Sequence, residues 1–149
     1  MIKELWLLAC MLFHRTKDCE VKVLMFKYFP FGYPTMMWCG KLIVKHERYM
    51  NPSTATLRHE TIHLKQAKMY SHWYKYYLRY VWEWLKGNPI ISPVHSAYYT
   101  IPFEVEAYAN EYKIQYNPTV ETLKKYTLKN RKKIYKENSN RWKQYCKSI

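Results

Sequence analysis

The sequence predicts an α+β fold that is mainly helical, with a small antiparallel or mixed sheet before the helices. Two segments rich in branched and aromatic residues, 21–26 and 40–50, have the composition of strands. From residue 54 to 86 the chain contains neither glycine nor proline, which is typical of helix. Segment 101–115 opens with Ile101-Pro102 and carries acids near its start, which also favours helix. Strands followed by helices indicate the α+β class.

Length and composition fit one domain with a real core. The chain has 149 residues, of which 48% are hydrophobic, so it can fold despite a net charge of +14. Only 3 glycines occur, which excludes collagen-like chains and glycine-rich phosphate-binding loops. The four cysteines are too widely spaced for a Cys-x-x-Cys site, and we expect reduced thiols. They are Cys10, Cys19, Cys39 and Cys146.

The apolar run Leu5–Phe13 predicts a buried first helix. It is far shorter than the roughly 20 residues that span a bilayer, and no small-residue cleavage site follows it. We therefore expect neither a transmembrane segment nor a signal peptide. We expect the protein to be cytoplasmic.

The two strand-like segments are expected to pair with each other. Segment Val21–Phe26 and the apolar triplet Leu42–Val44 are joined by a connection rich in proline and glycine. Such a connection suits a hairpin, so the sequence predicts antiparallel pairing of the two segments.

A helix-start signal follows at residues 51–54, where Asn51 or Ser53 can cap the helix. Because thirty-odd residues are long for one globular helix, we expect a break near Met69 to His72. Gly87-Asn88-Pro89 is expected to end the second helix. That helix is strongly aromatic, which predicts a packing helix, with a membrane-surface helix as the alternative.

The motif His59-Glu60-Thr61-Ile62-His63 carries the chemistry. Histidines at positions i and i+4 lie on one helical face and can bind a single Zn²⁺. Glu60 then lies beside the metal, where it can accept a proton from a water molecule. The sequence therefore predicts a zinc site with Glu60 as the catalytic base.

A catalytic zinc site takes a third protein ligand, and the helix that begins at Pro102 offers two glutamates. The face of Glu104 continues through Ala107, as expected of a packed interior face, whereas the face of Glu106 continues through Asn110, as expected of a solvated face. We choose Glu104 as the ligand. Glu106 remains the alternative.

These motifs resemble the gluzincin class of zinc metallopeptidases. RHETIHLKQ followed by IPFEVEAYANE is similar to short zincin-like proteins of bacteria and phages, which use H-E-x-x-H-x-x-Q and an F-E-x-E-A-Y helix. The resemblance implies one zincin-like domain over 1–149, acting as a zinc-dependent metalloendopeptidase. Tyr108 stands where related peptidases have an aspartate, so the group that supports a histidine ligand is left open.

The resemblance also implies a mechanism. The strand Gly40–Arg48 would be a sheet edge that holds an extended peptide substrate by strand addition. Zinc would polarise the scissile carbonyl and acidify a water molecule, and Glu60 would move that proton to the leaving amine. Five side chains are candidates for stabilising the oxyanion. These are His95, Tyr98, Tyr99, Tyr108 and Tyr112.

Residues 120–149 form a strongly basic stretch, which we expect to be a helical C-terminal extension. It holds 10 lysines and arginines against 2 glutamates. Such a segment suits phosphates of nucleic acid or an anionic membrane surface. The alternative function is therefore a non-catalytic zinc-binding protein that uses this segment to bind either partner.

Overall fold

The computed structural model describes residues 6, 9–17, 20–26, 35–86, 98, 100–126, 130, 133 and 137. These residues form a mixed α+β arrangement of a small three-stranded sheet and several helices. The strands are β1 (Lys22–Met25), β2 (Thr35–Trp38) and β3 (Lys41–Val44). The helices are a 3₁₀ turn (Glu47–Tyr49), α1 (Thr54–Lys68), α2 (Trp73–Lys86), α3 (Pro102–Asn110) and α4 (Val120–Lys124).

The sheet has the strand order β1-β3-β2, and its hairpin differs from the expected one. Strand β3 pairs antiparallel with β2 and parallel with β1, so the prediction that the first and last strands form a hairpin is wrong. The hairpin closes through Cys39 and Gly40, whose φ angles are 48° and 82°. Positive φ at both central residues is what a tight two-residue hairpin turn requires.

Strand β3 is the central strand, not an edge. It is paired on both sides, and Leu42, Ile43 and Val44 are buried. The expectation that the segment Gly40–Arg48 offers a free edge to a peptide is therefore wrong. Because β1 and β2 take up the hydrogen-bonding groups on either side of β3, strand addition at β3 is blocked.

The helices begin and break close to the expected positions. Ser53 caps α1, since its Oγ accepts a hydrogen bond from the backbone N–H of Thr56 at 3.2 Å. Helix α1 ends at Lys68 and α2 begins at Trp73, which confirms the expected break.

Helix α3 is shorter than expected, because it ends at Asn110 instead of near residue 115. The side chain of Asn110 donates to the backbone carbonyl of Glu106 at 2.8 Å and competes with regular helical bonding there. Helix α4 begins with a capping box in which Thr119 and Thr122 exchange hydrogen bonds.

The expected first helix is only partly buried among its described residues: Met11 and Leu12 pack against the main buried cluster, whereas Trp6 and Phe13 are each 72% exposed. The carbonyls of Leu12 and His14 accept hydrogen bonds from the first residues of α2, which holds this segment beside the start of that helix. The main buried cluster lies between the hairpin turn, α1, α2 and α3. It comprises Cys39, Leu64, Ala67, Trp73, Tyr76, Ile101 and Phe103.

Several expectations lie outside the described residues. These are the connection at 27–34, the helix stop at 87–89, Cys19, Cys146 and most of the basic segment after residue 126. Within the described ranges, no helix combines the length and the apolar character needed to cross a membrane.

Candidate metal centre

The packing of α1 against α3 brings His59, His63 and Glu104 together. The two Nε2 atoms of the histidines are 3.0 Å apart. Glu104 Oε2 lies 3.3 Å from His59 Nε2, and Glu104 Oε1 lies 3.2 Å from His63 Nε2. All three side chains are buried. Within the described ranges, they are the single group of histidine, cysteine or acidic side chains close enough to share one metal ion.

These distances suit a metal ion at the centre of the three side chains. Zinc binds nitrogen and carboxylate oxygen at about 2.0–2.2 Å, and two ligand atoms of a tetrahedral site are then about 3.3–3.5 Å apart. The observed separations of 3.0–3.3 Å are close to this value. The group can therefore hold a small cation without large rearrangement.

Gln66 fixes the orientation of His63. The Gln66 amide nitrogen donates to the carbonyl of Phe103 at 3.0 Å and to Glu106 Oε2 at 2.8 Å. Its amide oxygen consequently faces His63 Nδ1, 2.8 Å away, and must accept the Nδ1 proton. His63 therefore presents the Nε2 lone pair to the centre of the site.

Glu111 supports His59 in the same way. Its Oε2 lies 3.0 Å from His59 Nδ1, where it accepts the ring proton. The Tyr108 ring packs against the His59 ring, with the ring centroids 4.4 Å apart. Tyr108 stands where an aspartate would support a histidine ligand, and the structure shows that Glu111 supports His59 instead. Glu111 is the residue immediately after the last residue of α3.

The site concentrates negative charge and lone pairs, which favours a cation. When both rings are neutral, with each Nδ1 donating outward, each Nε2 offers a lone pair to the centre of the site, where Glu104 Oε2 is buried without a hydrogen-bond partner among the described residues. Burial lowers the pKa of His59, but hydrogen bonds and charge from Glu104 and Glu111 outweigh it and raise that pKa to about 10. The site therefore takes up a proton strongly when no metal competes for the same atoms.

The pKa of each neighbouring group follows from the same opposition of burial and charge. Burial acts to raise the pKa of Glu104, yet the charges and hydrogen bonds of His63 and His59 lower it well below its ordinary value. For His63, burial is outweighed by the Glu104 carboxylate, and the pKa is raised. Carboxylate and imidazoles thus stabilise each other's charged forms.

Glu60 lies beside this group and is 8% exposed. Burial raises its pKa above the ordinary value, and the nearby charges of His63 and His59 act in the opposite direction. Its Oε2 is buried without a hydrogen-bond partner among the described residues. An unpartnered carboxylate oxygen with a raised pKa is suited to accepting a proton.

The expectation of a solvated face at Glu106 is wrong. Glu106 is 0% exposed and Asn110 is buried as well. The Glu106 carboxylate accepts hydrogen bonds from Gln66, from the Tyr116 hydroxyl at 2.9 Å and from the Thr122 hydroxyl. These three donors satisfy its charge in place of water. Glu106 thus lies outside the candidate ligand group and supports it through Gln66.

Two tyrosines of α2 that sequence reasoning missed contact the candidate ligands. Tyr80 donates its hydroxyl proton to Glu104 Oε1 at 2.7 Å, and the Tyr76 hydroxyl lies 3.4 Å from His63 Nδ1. Burial and the charge of Glu104 hold the pKa of Tyr80 well above its ordinary value, so it remains a donor. Nothing in the aromatic spacing of α2 shows which of its many rings would face α3.

Two of the five candidates for oxyanion stabilisation contact the candidate metal ligands. Tyr98 bonds to Glu104 through its side chain, Tyr108 packs on His59, and Tyr112 is 66% exposed. His95 and Tyr99 lie outside the described residues. Tyr98 and Tyr108 therefore remain candidates for this role, whereas the exposed Tyr112 has no described contact with the ligands.

Comparisons with protein-family models, curated proteins and solved structures found no match to this chain.

Proposed function

We propose that this protein is a zinc-dependent metalloendopeptidase with a zincin-like fold. The observation that carries the proposal is the convergence of His59, His63 and Glu104 beside Glu60, whose Oε2 has no hydrogen-bond partner among the described residues. Two histidines and one glutamate leave one position of a tetrahedral zinc site open for water or substrate.

The donor set supports zinc over other common divalent ions. Calcium and magnesium prefer sites composed of oxygen ligands, whereas two imidazoles and a carboxylate suit zinc. Each histidine is held by an outer acceptor, Gln66 for His63 and Glu111 for His59. Such outer partners orient the rings and raise their basicity toward a metal.

A zinc ion held by His59, His63 and Glu104 would supply the positive charge that polarises the scissile carbonyl and makes water acidic. Glu60 accepts a proton from the attacking water and passes it to the leaving amine. His59, His63 and Glu104 hold fixed positions because α1 and α3 pack together and because Tyr80 donates to Glu104. Rigid ligands keep the charge aligned with the reacting carbonyl during the reaction.

Replacement of Glu60 by glutamine tests the proposal. The Glu60→Gln protein is expected to bind zinc like the wild type, because Glu60 is not among the three ligands, and to hydrolyse a mixed peptide library at least about 100-fold more slowly. Peptide products are followed by mass spectrometry and zinc by elemental analysis. Glu47→Gln, at an exposed position, is the matched control and is expected to retain full activity.

Two results would contradict the proposal that this protein is a peptidase. One is unchanged hydrolysis by the Glu60→Gln protein with zinc in place. The other is a wild-type protein that binds zinc and hydrolyses none of the peptides, which would favour the alternative of a non-catalytic zinc-binding protein.

A further inference from the structure

Helix α2 carries an exposed apolar face on the side away from the candidate metal centre. Leu78, Val81, Trp82 and Leu85 are between 47% and 67% exposed. Their spacing of i, i+3, i+4 and i+7 places them on one face of the helix. The opposite face holds Tyr76, whose side chain is buried in the core.

The N-terminal segment extends this face. Phe13 is exposed and its ring lies 5.9 Å from the ring of Tyr74, one turn before Leu78. Backbone bonds from Tyr74 to Leu12 and from Trp73 to His14 hold Phe13 beside the start of α2. We define the α2 face as Phe13, Leu78, Val81, Trp82 and Leu85. It contains five of the twelve large hydrophobic side chains that are exposed among the described residues. Hydrophobic residues scattered singly over a surface are normal, but a contiguous exposed patch of this kind indicates an interaction site.

Cations border the α2 face along one side. Lys75, Arg79 and Lys86 are all exposed, and the Lys86 ammonium lies 5.6 Å from the centroid of the Trp82 ring. Glu83, the one acid of α2, is buried and pairs with Arg79 at 2.7 Å and with Lys86 at 3.0 Å. The border therefore keeps a net positive charge.

We propose that the α2 face binds the surface of an anionic lipid membrane, with α2 lying parallel to it. Aliphatic side chains and tryptophan enter the boundary between headgroups and acyl chains, while flanking lysine and arginine contact anionic headgroups. The net charge of +14 attracts the whole molecule to such a surface. The same charge on two copies opposes pairing of α2 faces, and leucine and valine offer nothing to the phosphates of nucleic acid.

Co-sedimentation of the full chain with vesicles tests this proposal. The wild type is expected to bind vesicles of phosphatidylcholine containing phosphatidylserine, and to bind phosphatidylcholine alone much more weakly. The double variant Leu78→Ser with Leu85→Ser is expected to bind the anionic vesicles about tenfold more weakly, because two aliphatic contacts are lost. The matched control is Ile114→Ser with Val120→Ser, two exposed positions away from α2, and is expected to bind like the wild type.

Three results would overturn the proposal. The wild type could fail to bind the anionic vesicles, or the α2 double variant could bind them as well as the wild type does. The third is a wild-type dimer, measured by light scattering, that the double variant converts to monomer, since a second copy would then occupy the face. Circular dichroism of each variant establishes that it is folded before binding is compared.

Discussion

At the scale of single residues, the function of Gln66 depends on all the groups that its amide contacts. It donates to α3 at two points and accepts from His63, so it links the two helices that carry the candidate ligands. Its side chain is 0% exposed. Because the buried Gln66 amide makes all of these hydrogen bonds, it holds the His63 imidazole in one tautomer and one orientation.

Replacement of Gln66 by alanine is expected to weaken zinc binding about 10- to 100-fold, because His63 loses the acceptor that orients it. Competition with a chromophoric chelator measures the affinity. Gln115→Ala is the matched control, since Gln115 is exposed, and it should bind zinc like the wild type. Equal affinity for the folded Gln66→Ala protein would show that Gln66 does not support the site.

At the scale of elements, the start of α1 rests on one exposed cap. Ser53→Ala removes the acceptor for the Thr56 N–H and is expected to lower the free energy of unfolding by about 1 kcal/mol. Urea denaturation measures this change. Thr54→Ala, at the first helical position, is the control and should stay within about 0.5 kcal/mol of the wild type. A Ser53→Ala protein as stable as this control would argue against the cap.

The elements also show what the sequence could predict. The cap and break of α1 follow from local chemistry, and both agree with the structure. The antiparallel pairing of β3 with β2 could not be predicted in this way, because β2 has the sequence TMMW, which lacks the alternation of a half-buried strand. Pairing is a long-range choice that the flanking turn decides, here through positive φ at Cys39 and Gly40.

The candidate site shows the same division. The spacing of His59 and His63 fixes one helical face, so their proximity could be predicted. Glu106 could not be placed, because α3 is buried on nearly all sides and its pattern does not distinguish a ligand face from a supporting face. Tyr80 lies on a helix that carries neither motif, and Glu111 follows the F-E-x-E-A-Y pattern, so only the packed structure relates these two residues to the site.

At the scale of the whole molecule, a bound metal would join α1 to α3 and thereby stabilise the fold. Ligand that binds the folded state at about 1,000 times its dissociation constant adds about 4 kcal/mol. A strong chelator is therefore expected to lower the thermal midpoint of the zinc-loaded protein by on the order of 10 °C. The folded His63→Ala protein should show no such shift. A chelator-independent midpoint for the wild type would contradict a metal link between the helices.

The most direct measurement is the zinc content per chain of the wild type and of Glu104→Gln, with Glu47→Gln as the matched control. We predict about one zinc per chain for the wild type and the control, and a loss of most of it in the Glu104→Gln protein, because a buried carboxylate ligand is replaced by a neutral amide. A wild type that binds no zinc under non-chelating conditions, or a Glu104→Gln protein that retains it fully, would contradict the assignment of His59, His63 and Glu104 as a zinc site.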